Sequence, residues 1–415
     1  MLRPIVRIAS LSLLMLVAAV AAASIPSRDY AAIDAHARSA PESAALSIDS
    51  LADYLTNSSR DDREKARAIF CWIAHNITYD ISLLGTKPDP QTILDRRRAV
   101  CAGYAVLFNA LAEAAGLKAE IVHGGSKAPG PAAAIGPDGL LNHDWNVVEI
   151  DGAWGLVDCT WGAGRLDERG RFSKHYTDHY FLTPPNLFAY DHLPDDPRWQ
   201  LLDPPLSKEM YLRRVKVQPA FFECGLRLLT HGEAHIDAGS SLTVRLGAPP
   251  EILVVAALSQ NGADLTGGYT FAQRAEGGFT IDVLFPSAGD YTLVAFARER
   301  GPLRAEYDSA VEYSIHARSG TDRVFPRMYA SFQERDCHLD TPFDGILPAG
   351  KAVEFSARVP GAEDVVVGIN GLARHLAARD GVFSGSVVPE QGQATLFARF
   401  PGQKKYEGLL QYQVR

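Results

Sequence analysis

The dipeptide Asp151-Gly152, set between the runs Asn142 to Ile150 and Ala153 to Asp158, constrains the fold more than any other feature of this sequence. Asp-Gly suits a two-residue type I′ turn because both positions tolerate positive φ, so the two runs predict a β-hairpin of fixed register. Ile150 then faces Ala153, and if the ladder continues without a bulge His143 faces Thr160. Side chains alternate across a strand, so His143 and Asp158 emerge on one face as diagonal neighbours within hydrogen-bonding reach. Asp144 points to the other side, and the same register turns Cys159 away from His143.

Cys101 completes a chemical set. Pro88 and Pro90 break the preceding loop, Thr92 to Arg97 reads as helical, and a further helix is predicted from Cys101 to Ala115, stopping before Gly116 as a natural C′ residue. A cysteine that opens a helix sees unpaired N–H groups and the positive end of the dipole, which favour the thiolate. Arg96, Arg97 and Arg98 add positive charge nearby, although such a run is usually a solvated surface. Thiolate, imidazole and carboxylate are the three groups that acyl transfer from an amide requires: Cys101 as nucleophile, His143 as proton shuttle and Asp158 as its orienter. The Cys101 N–H is a natural oxyanion donor; the sequence assigns no second one.

The whole chain bounds this reading. Its 415 residues exceed one ordinary core and suggest two to four domains. A net charge of −8 without a long basic run gives no footprint for nucleic acid. Arg3 and Arg7 precede an apolar run from Ile8 to Ala23 that ends in small residues, the pattern of a cleaved signal peptide over residues 1–23. The expected location is secreted or periplasmic, without stable membrane insertion after cleavage. Five cysteines are too few for a disulfide scaffold; Cys224 and Cys337 are the pair that an oxidising compartment would bridge if they lie close enough.

Upstream of Cys101, helices are predicted around Ala44 to Tyr54 and from just after Ser59 to about His75, the latter with Asp61 and Asp62 near its positive end and Ala66, Ile69, Phe70 and Ile73 on its apolar face. Ala119 to His123 reads as a strand, followed by a Gly/Pro/Ala-rich loop to Gly139. Beyond Tyr211 helical periodicity gives way to short alternating segments such as Leu242 to Leu246, Phe279 to Leu284 and Tyr291 to Ala297. The run from Tyr307 to Ile315 resembles that from Tyr406 to Val414, which suggests two related β-sandwich modules. His175 and His179 have a helical metal-pair spacing but lack acidic or cysteine ligands at suitable spacing, so they are read as surface or packing residues. Trp145 is a candidate wall of a substrate groove, set against the commoner role of an aromatic in a hairpin core. No EF-hand loop is present, and no metal or other cofactor is expected.

Three motifs, Val100-Cys101-Ala102-Gly103-Tyr104, His143-Asp144-Trp145-Asn146 and Val157-Asp158-Cys159-Thr160-Trp161-Gly162, together with Trp72 to Asp80 upstream and Tyr180 to Pro185 downstream, resemble the transglutaminase-like superfamily and within it the kyphoscoliosis-peptidase-like group. The resemblance covers about residues 62–202. It implies an α+β papain-like catalytic core with the family's nucleophile on Cys101, its histidine on His143 and its acid on Asp158; Asp144 departs from the small residue often found there. The expected organisation is a transglutaminase-like domain over residues 24–205 and two all-β, Ig-like sandwich modules over 211–318 and 319–415. The expected function is acyl transfer from peptide or isopeptide amides to water or an amine. The substrate would be a protein or peptide, and export makes a cell-envelope component one candidate. A catalytically silent peptide-binding or scaffold protein is the alternative, since the group contains members thought to be inactive.

Overall fold

In the computed structural model of the chain, residues 28–86, 89–127, 135–136, 139–166, 171–301 and 306–415 are described. The expected signal peptide lies outside these residues. Among them, no helix is long and apolar enough to cross a membrane.

The N-terminal half begins with helices α1 (Ala31–Arg38), α2 (Ile48–Thr56) and α3 (Asp62–Asn76). The Asp61 side chain accepts from the Glu64 N–H at 2.9 Å and so caps α3. Ala66, Ile69, Phe70 and Ile73 are fully buried along the face that the sequence predicts. The helix expected over Ala44 to Tyr54 is instead broken. Ser47 adopts an extended conformation and accepts from the Ser50 N–H, which separates a single turn at Ala44–Leu46 from α2. α1, a helix of eight residues, is not among the helices the sequence predicts.

After α3 the chain forms a two-residue strand β1 (Thr78–Tyr79), helix α4 (Pro90–Arg96), strand β2 (Arg98–Ala99) and helix α5 (Cys101–Ala114). β1 and β2 pair in parallel, with Tyr79 opposite Ala99. That short bridge sets Tyr79 beside the first turn of α5. α5 packs on α2, α3 and α4 and on the sheet behind it. Its Leu107, Phe108 and Leu111 are fully buried, each removal from water being worth about 2 kcal/mol.

The sheet contains β3 (Ala119–Ser126), β4 (Leu141–Ile150) and β5 (Ala153–Val157), flanked by Phe181–Thr183 beyond β5 and His192–Pro194 beyond β3. Asp151 and Gly152 have φ of 52° and 80°, as the type I′ turn requires, and Ile150 faces Ala153. The ladder runs only from that pair to Asn146 and Val157. At Asp158 the chain leaves the strand and starts helix α6 (Cys159–Ala163). Thr160 therefore lies in a helical turn, and the strand partner of His143 is Gly124 on β3. β4 is locked to α5 by the buried Asn146, whose Nδ2 donates to the Ala105 carbonyl at 3.0 Å.

The remaining chain builds two β-sandwiches of one topology. In the first, the sheet order is Lys216–Val217, Asp308–Ala317, Gly289–Glu299, Ile252–Gln260 and Ala263–Asp264, with His235–Ala238 pairing in parallel on Asp308–Ala317. In the second, Arg327–Met328, Glu407–Val414, Gly392–Arg399, Asp364–Ile369 and Leu372–His375 follow the same order, with Ile346–Leu347 as the parallel addition. Each has an opposing four-stranded sheet of matching order. Even the register shift is repeated, between Ala295 and Phe296 in one and Leu396 and Phe397 in the other. The predicted repeat is thus a duplication of architecture. The sandwiches are not wholly β: five-residue helices at Pro219–Glu223 and Ala330–Glu334 open them, too short to show a helical period. Their cores are continuous, since Phe271 and Leu284 of the first join the core of the second. Cys224 and Cys337 are both free thiols, each buried separately, and form no bridge.

Gly124 marks the tightest joint in the N-terminal sheet. A Cβ there would lie 2.2 Å from the Leu193 carbonyl oxygen and 2.7 Å from the Trp145 ring. Gly124→Ala is expected to cost about 1–3 kcal/mol of stability through overpacking. Gly232, with nothing within 4 Å of its Cβ position, is the control expected to tolerate alanine. Urea denaturation of the two variants checks this, and equal midpoints would refute it.

Candidate active site

Three elements converge at the open edge of the core: the N-terminus of α5, the middle of β4 and the end of β5. Cys101 is the first residue of α5 and is half-buried. Its N-cap, Val100, offers no side-chain cap, while the Val100 carbonyl accepts from the N–H groups of Gly103 and Tyr104. The Cys101 N–H thus stands at the positive end of a 14-residue helix.

His143 has the Cys101 thiol beside it on one side. On the other, its Nε2 donates to Asp158 Oδ2 at 2.6 Å. The sequence places His143 and Asp158 together correctly, but by a route different from the expected diagonal pair. Asp158 reaches His143 as the N-cap of α6, its Oδ1 accepting from the N–H groups of Thr160 at 2.8 Å and Trp161 at 3.0 Å. Asp144 lies on the opposite face and pairs with His123. Burial pulls His143 toward its neutral form, but the adjacent Asp158 carboxylate outweighs it and raises the imidazole pKa to about 10. Burial also works against charge on Asp158, yet the attraction of His143 and hydrogen bonds from both His143 and His192 hold its pKa well below the carboxylate range.

Two further groups were not singled out from sequence. The Tyr79 hydroxyl lies beside Cys101, and burial followed by the neighbouring Cys101 raises its pKa. Tyr79 sits in the Trp72 to Asp80 motif, but only the parallel bridge to β2 shows why it meets Cys101. His192 approaches Asp158 from the far side, its Nε2 lying 3.0 Å from Oδ2. Nothing in the local pattern around His192 distinguishes it from a packing histidine.

Trp145 is not a wall of the site. It is 1% exposed, behind His143 and edge-on to His192 at 4.9 Å, so it is a core residue. Trp161 takes the exposed role, 5.2 Å from the His143 ring and lining a cleft of about 460 Å³. Tyr79, His143, Gly164 and Phe172 line one side of the cleft; Lys216, Gln218, Tyr307, Ser309 and Glu312 of the first sandwich line the other. His175 also borders the cleft, whereas His179 is stacked on Phe222 at 4.9 Å and has its pKa lowered by burial to about 4. No helix joins these two histidines.

His143, Asp158 and His192 bring three possible ligand atoms within 4.8 Å of one another. Both nitrogens already lie at hydrogen-bonding distance from the same oxygen, Asp158 Oδ2. An ion with bonds of about 2.0–2.2 Å to each would have to part them, so the arrangement is read as a hydrogen-bond network.

Residues 49–159 match the family model of the transglutaminase-like superfamily, and residues 208–327 match that of the KY-like, immunoglobulin-like domain. Residues 49–159 thus form a transglutaminase-like domain, followed by a KY-like, immunoglobulin-like one. It is 32% identical to human kyphoscoliosis peptidase over 277 residues, covering 65% of this chain and 40% of the relative. It is likewise 32% identical to hillarin of Drosophila melanogaster over 210 residues, covering 46% and 25% of the two chains. The Lim and transglutaminase domain protein ltd-1 of Caenorhabditis elegans is 29% identical over 241 residues, with 54% and 33% covered. The chain thus spans two fifths or less of these relatives' length.

The other four cysteines of the chain are buried thiols. Burial pushes Cys71 up to about 12, Cys224 to about 11 and Cys337 to about 12, and raises Cys159 well above its ordinary value. Iodoacetamide at neutral pH is therefore expected to modify Cys101 at least about tenfold faster than any of them, with His143→Ala slowing Cys101 alone. Peptide mass spectrometry resolves the sites. Equal labelling of Cys71 or Cys159 would contradict the assignment.

Proposed function

We propose that this transglutaminase-like protein is a cysteine-dependent acyl-transfer enzyme acting on peptide or isopeptide amides. The observation that carries the reading is the buried His143–Asp158 pair at 2.6 Å, with His143 lining a cleft and the half-buried Cys101 beside it at the start of α5. The Cys101 thiolate attacks the amide carbonyl carbon, and the carbonyl π electrons move to oxygen. The resulting oxyanion accepts from the Cys101 N–H and from the Tyr79 hydroxyl, which lies beside Cys101. Protonated His143 gives its proton to the leaving nitrogen, the C–N bond breaks, and a thioester remains on Cys101. His143, now neutral, takes a proton from the incoming water or amine as it attacks the thioester. Collapse of the second oxyanion releases the product and restores the thiolate–imidazolium pair.

Asp158 holds the imidazole with Nε2 turned away from the thiol and stabilises its protonated form. The cleft admits a chain segment between Trp161 and Phe172 on one side and Tyr307 on the other. Its mixed apolar and polar lining suits a peptide.

Cys101→Ala is expected to lower amide turnover by at least about a thousandfold, and Tyr79→Phe by roughly ten- to a hundredfold with KM little changed. A screen of peptide and isopeptide substrates, with and without a primary amine, measures both and separates hydrolysis from amine transfer by product mass. Full activity in Cys101→Ala would end the proposal. Peptide binding unchanged by Cys101→Ala, with no turnover of any amide, would replace it with a scaffold role.

The same reading has the enzyme act outside the cytoplasm, supported by the Arg3, Arg7 and Ile8 to Ala23 pattern. Expressed with its native N-terminus, the protein should be recovered from the exported fraction starting near Ser24. Intact residues 1–23 on a cytoplasmic product would overturn this.

A further inference from the structure

Resting on the acyl-transfer reading, we propose that His192 is a positioning residue that fixes Asp158 and tempers its pull on His143, so that His143 can release its proton. The argument begins with the oxygens of Asp158. Oδ1 is taken by the N–H groups of Thr160 and Trp161. Oδ2 is shared between His143 Nε2 at 2.6 Å and His192 Nε2 at 3.0 Å. His192 has a second carboxylate at its other nitrogen, Asp191 Oδ1 at 2.6 Å from Nδ1. The Tyr180 hydroxyl in turn donates to Asp191 Oδ2 at 2.9 Å.

Each His192 ring nitrogen thus lies at hydrogen-bonding distance from a buried carboxylate oxygen, and Nε2 shares Asp158 Oδ2 with His143. Its side chain has no exposed surface. The ring is stacked on Phe188 at 3.9 Å and 22°, tilted against Trp161 at 4.5 Å, and met edge-on by Trp145. It cannot turn without displacing these rings. Backbone pairing of Ser126 with His192 and Gly124 with Pro194 fixes its strand to β3, the strand beside His143.

The electrostatic consequence has a definite sign. In a water-poor site an uncompensated Asp158 would hold the His143 proton too strongly for efficient delivery to a leaving amine. A second hydrogen bond to the same oxygen weakens that hold. The titratable groups facing His192 are Asp158 at the end of β5, Asp191 beside it in sequence, His143 on β4 and Tyr180 before the edge strand; His179 and Lys127 interact through Asp191, and His179 also with His192 itself. Facing His143 are Asp158, Cys101 and His192.

The test compares His192→Gln and Asp191→Asn with the wild-type chain. Asp191→Asn leaves the ring in place but removes the carboxylate that anchors its Nδ1. Two profiles are measured against pH: amide turnover, and the rate of Cys101 alkylation by iodoacetamide. In His192→Gln, kcat is expected to fall roughly ten- to a hundredfold with KM little changed, and the alkaline limb of both profiles to move to higher pH. Asp191→Asn should move the limb in the same direction by less. Thermal melts establish the folded fraction, so a loss confined to unfolded protein is not counted. Folded variants with wild-type kcat and an unmoved alkaline limb overturn the proposal. Should the wild type turn over no amide, the acyl-transfer reading fails by itself, while the alkylation profile still decides what His192 does to the Cys101–His143 pair.

Discussion

The site depends on one carboxylate leaving a strand at the right residue. Asp158 ends β5 and caps α6 with one oxygen while its other oxygen receives two imidazoles. A carboxylate moved one residue earlier would lie on the wrong face of the strand, and one placed later would lie within the helix. With the Asp158 cap, the turn of α6 brings Trp161 over His143 and Gly162 against Phe70, where a Cβ would lie 2.5 Å from the ring. Local backbone satisfaction and the geometry of the proton pathway are thus met by the same four donors.

Much of this was legible in the sequence, for physical reasons that differ by residue. The Asp151-Gly152 turn left little freedom in the hairpin, and both residues take the predicted positive φ. Cys101 was legible because prolines end the preceding loop and an apolar helix follows it. His143 and Asp158 were paired through a ladder that stops short of them. The contact survives because a strand continued for one residue and a helix begun at that residue place its side chain on the same side. Tyr79 and His192 were not legible as chemical groups. Their roles come from a two-residue parallel bridge and from an edge strand held by Gly124, contacts between segments far apart in sequence. Trp145 was left between core and groove wall for a related reason: alternation says which face a residue occupies, but not that Phe188 and His192 cover that face.

The β-rich half follows a simpler rule. Period-two alternation specifies strands well, and the likeness between the runs at Tyr307 and Tyr406 was enough to suggest a duplication. It could not say which strands pair in parallel, nor that short helices open each sandwich. It also gave no sign that the first sandwich contributes Gln218, Tyr307 and Glu312 to the cleft.

That contribution gives the junction between the sandwiches a mechanical meaning. Phe271 and Leu284 of the first sandwich are built into the second's core, and Gln333 of the second donates to the Val254 and Ala272 carbonyls of the first. Arg298 and Glu334 close an ion pair across the same joint at 2.5 Å. A joint of this kind has no hinge. The second sandwich, which touches neither thiol nor cleft, acts as a buttress: it stiffens the wall that faces Cys101, so the width of the opening is set by packing distant from the reacting atoms.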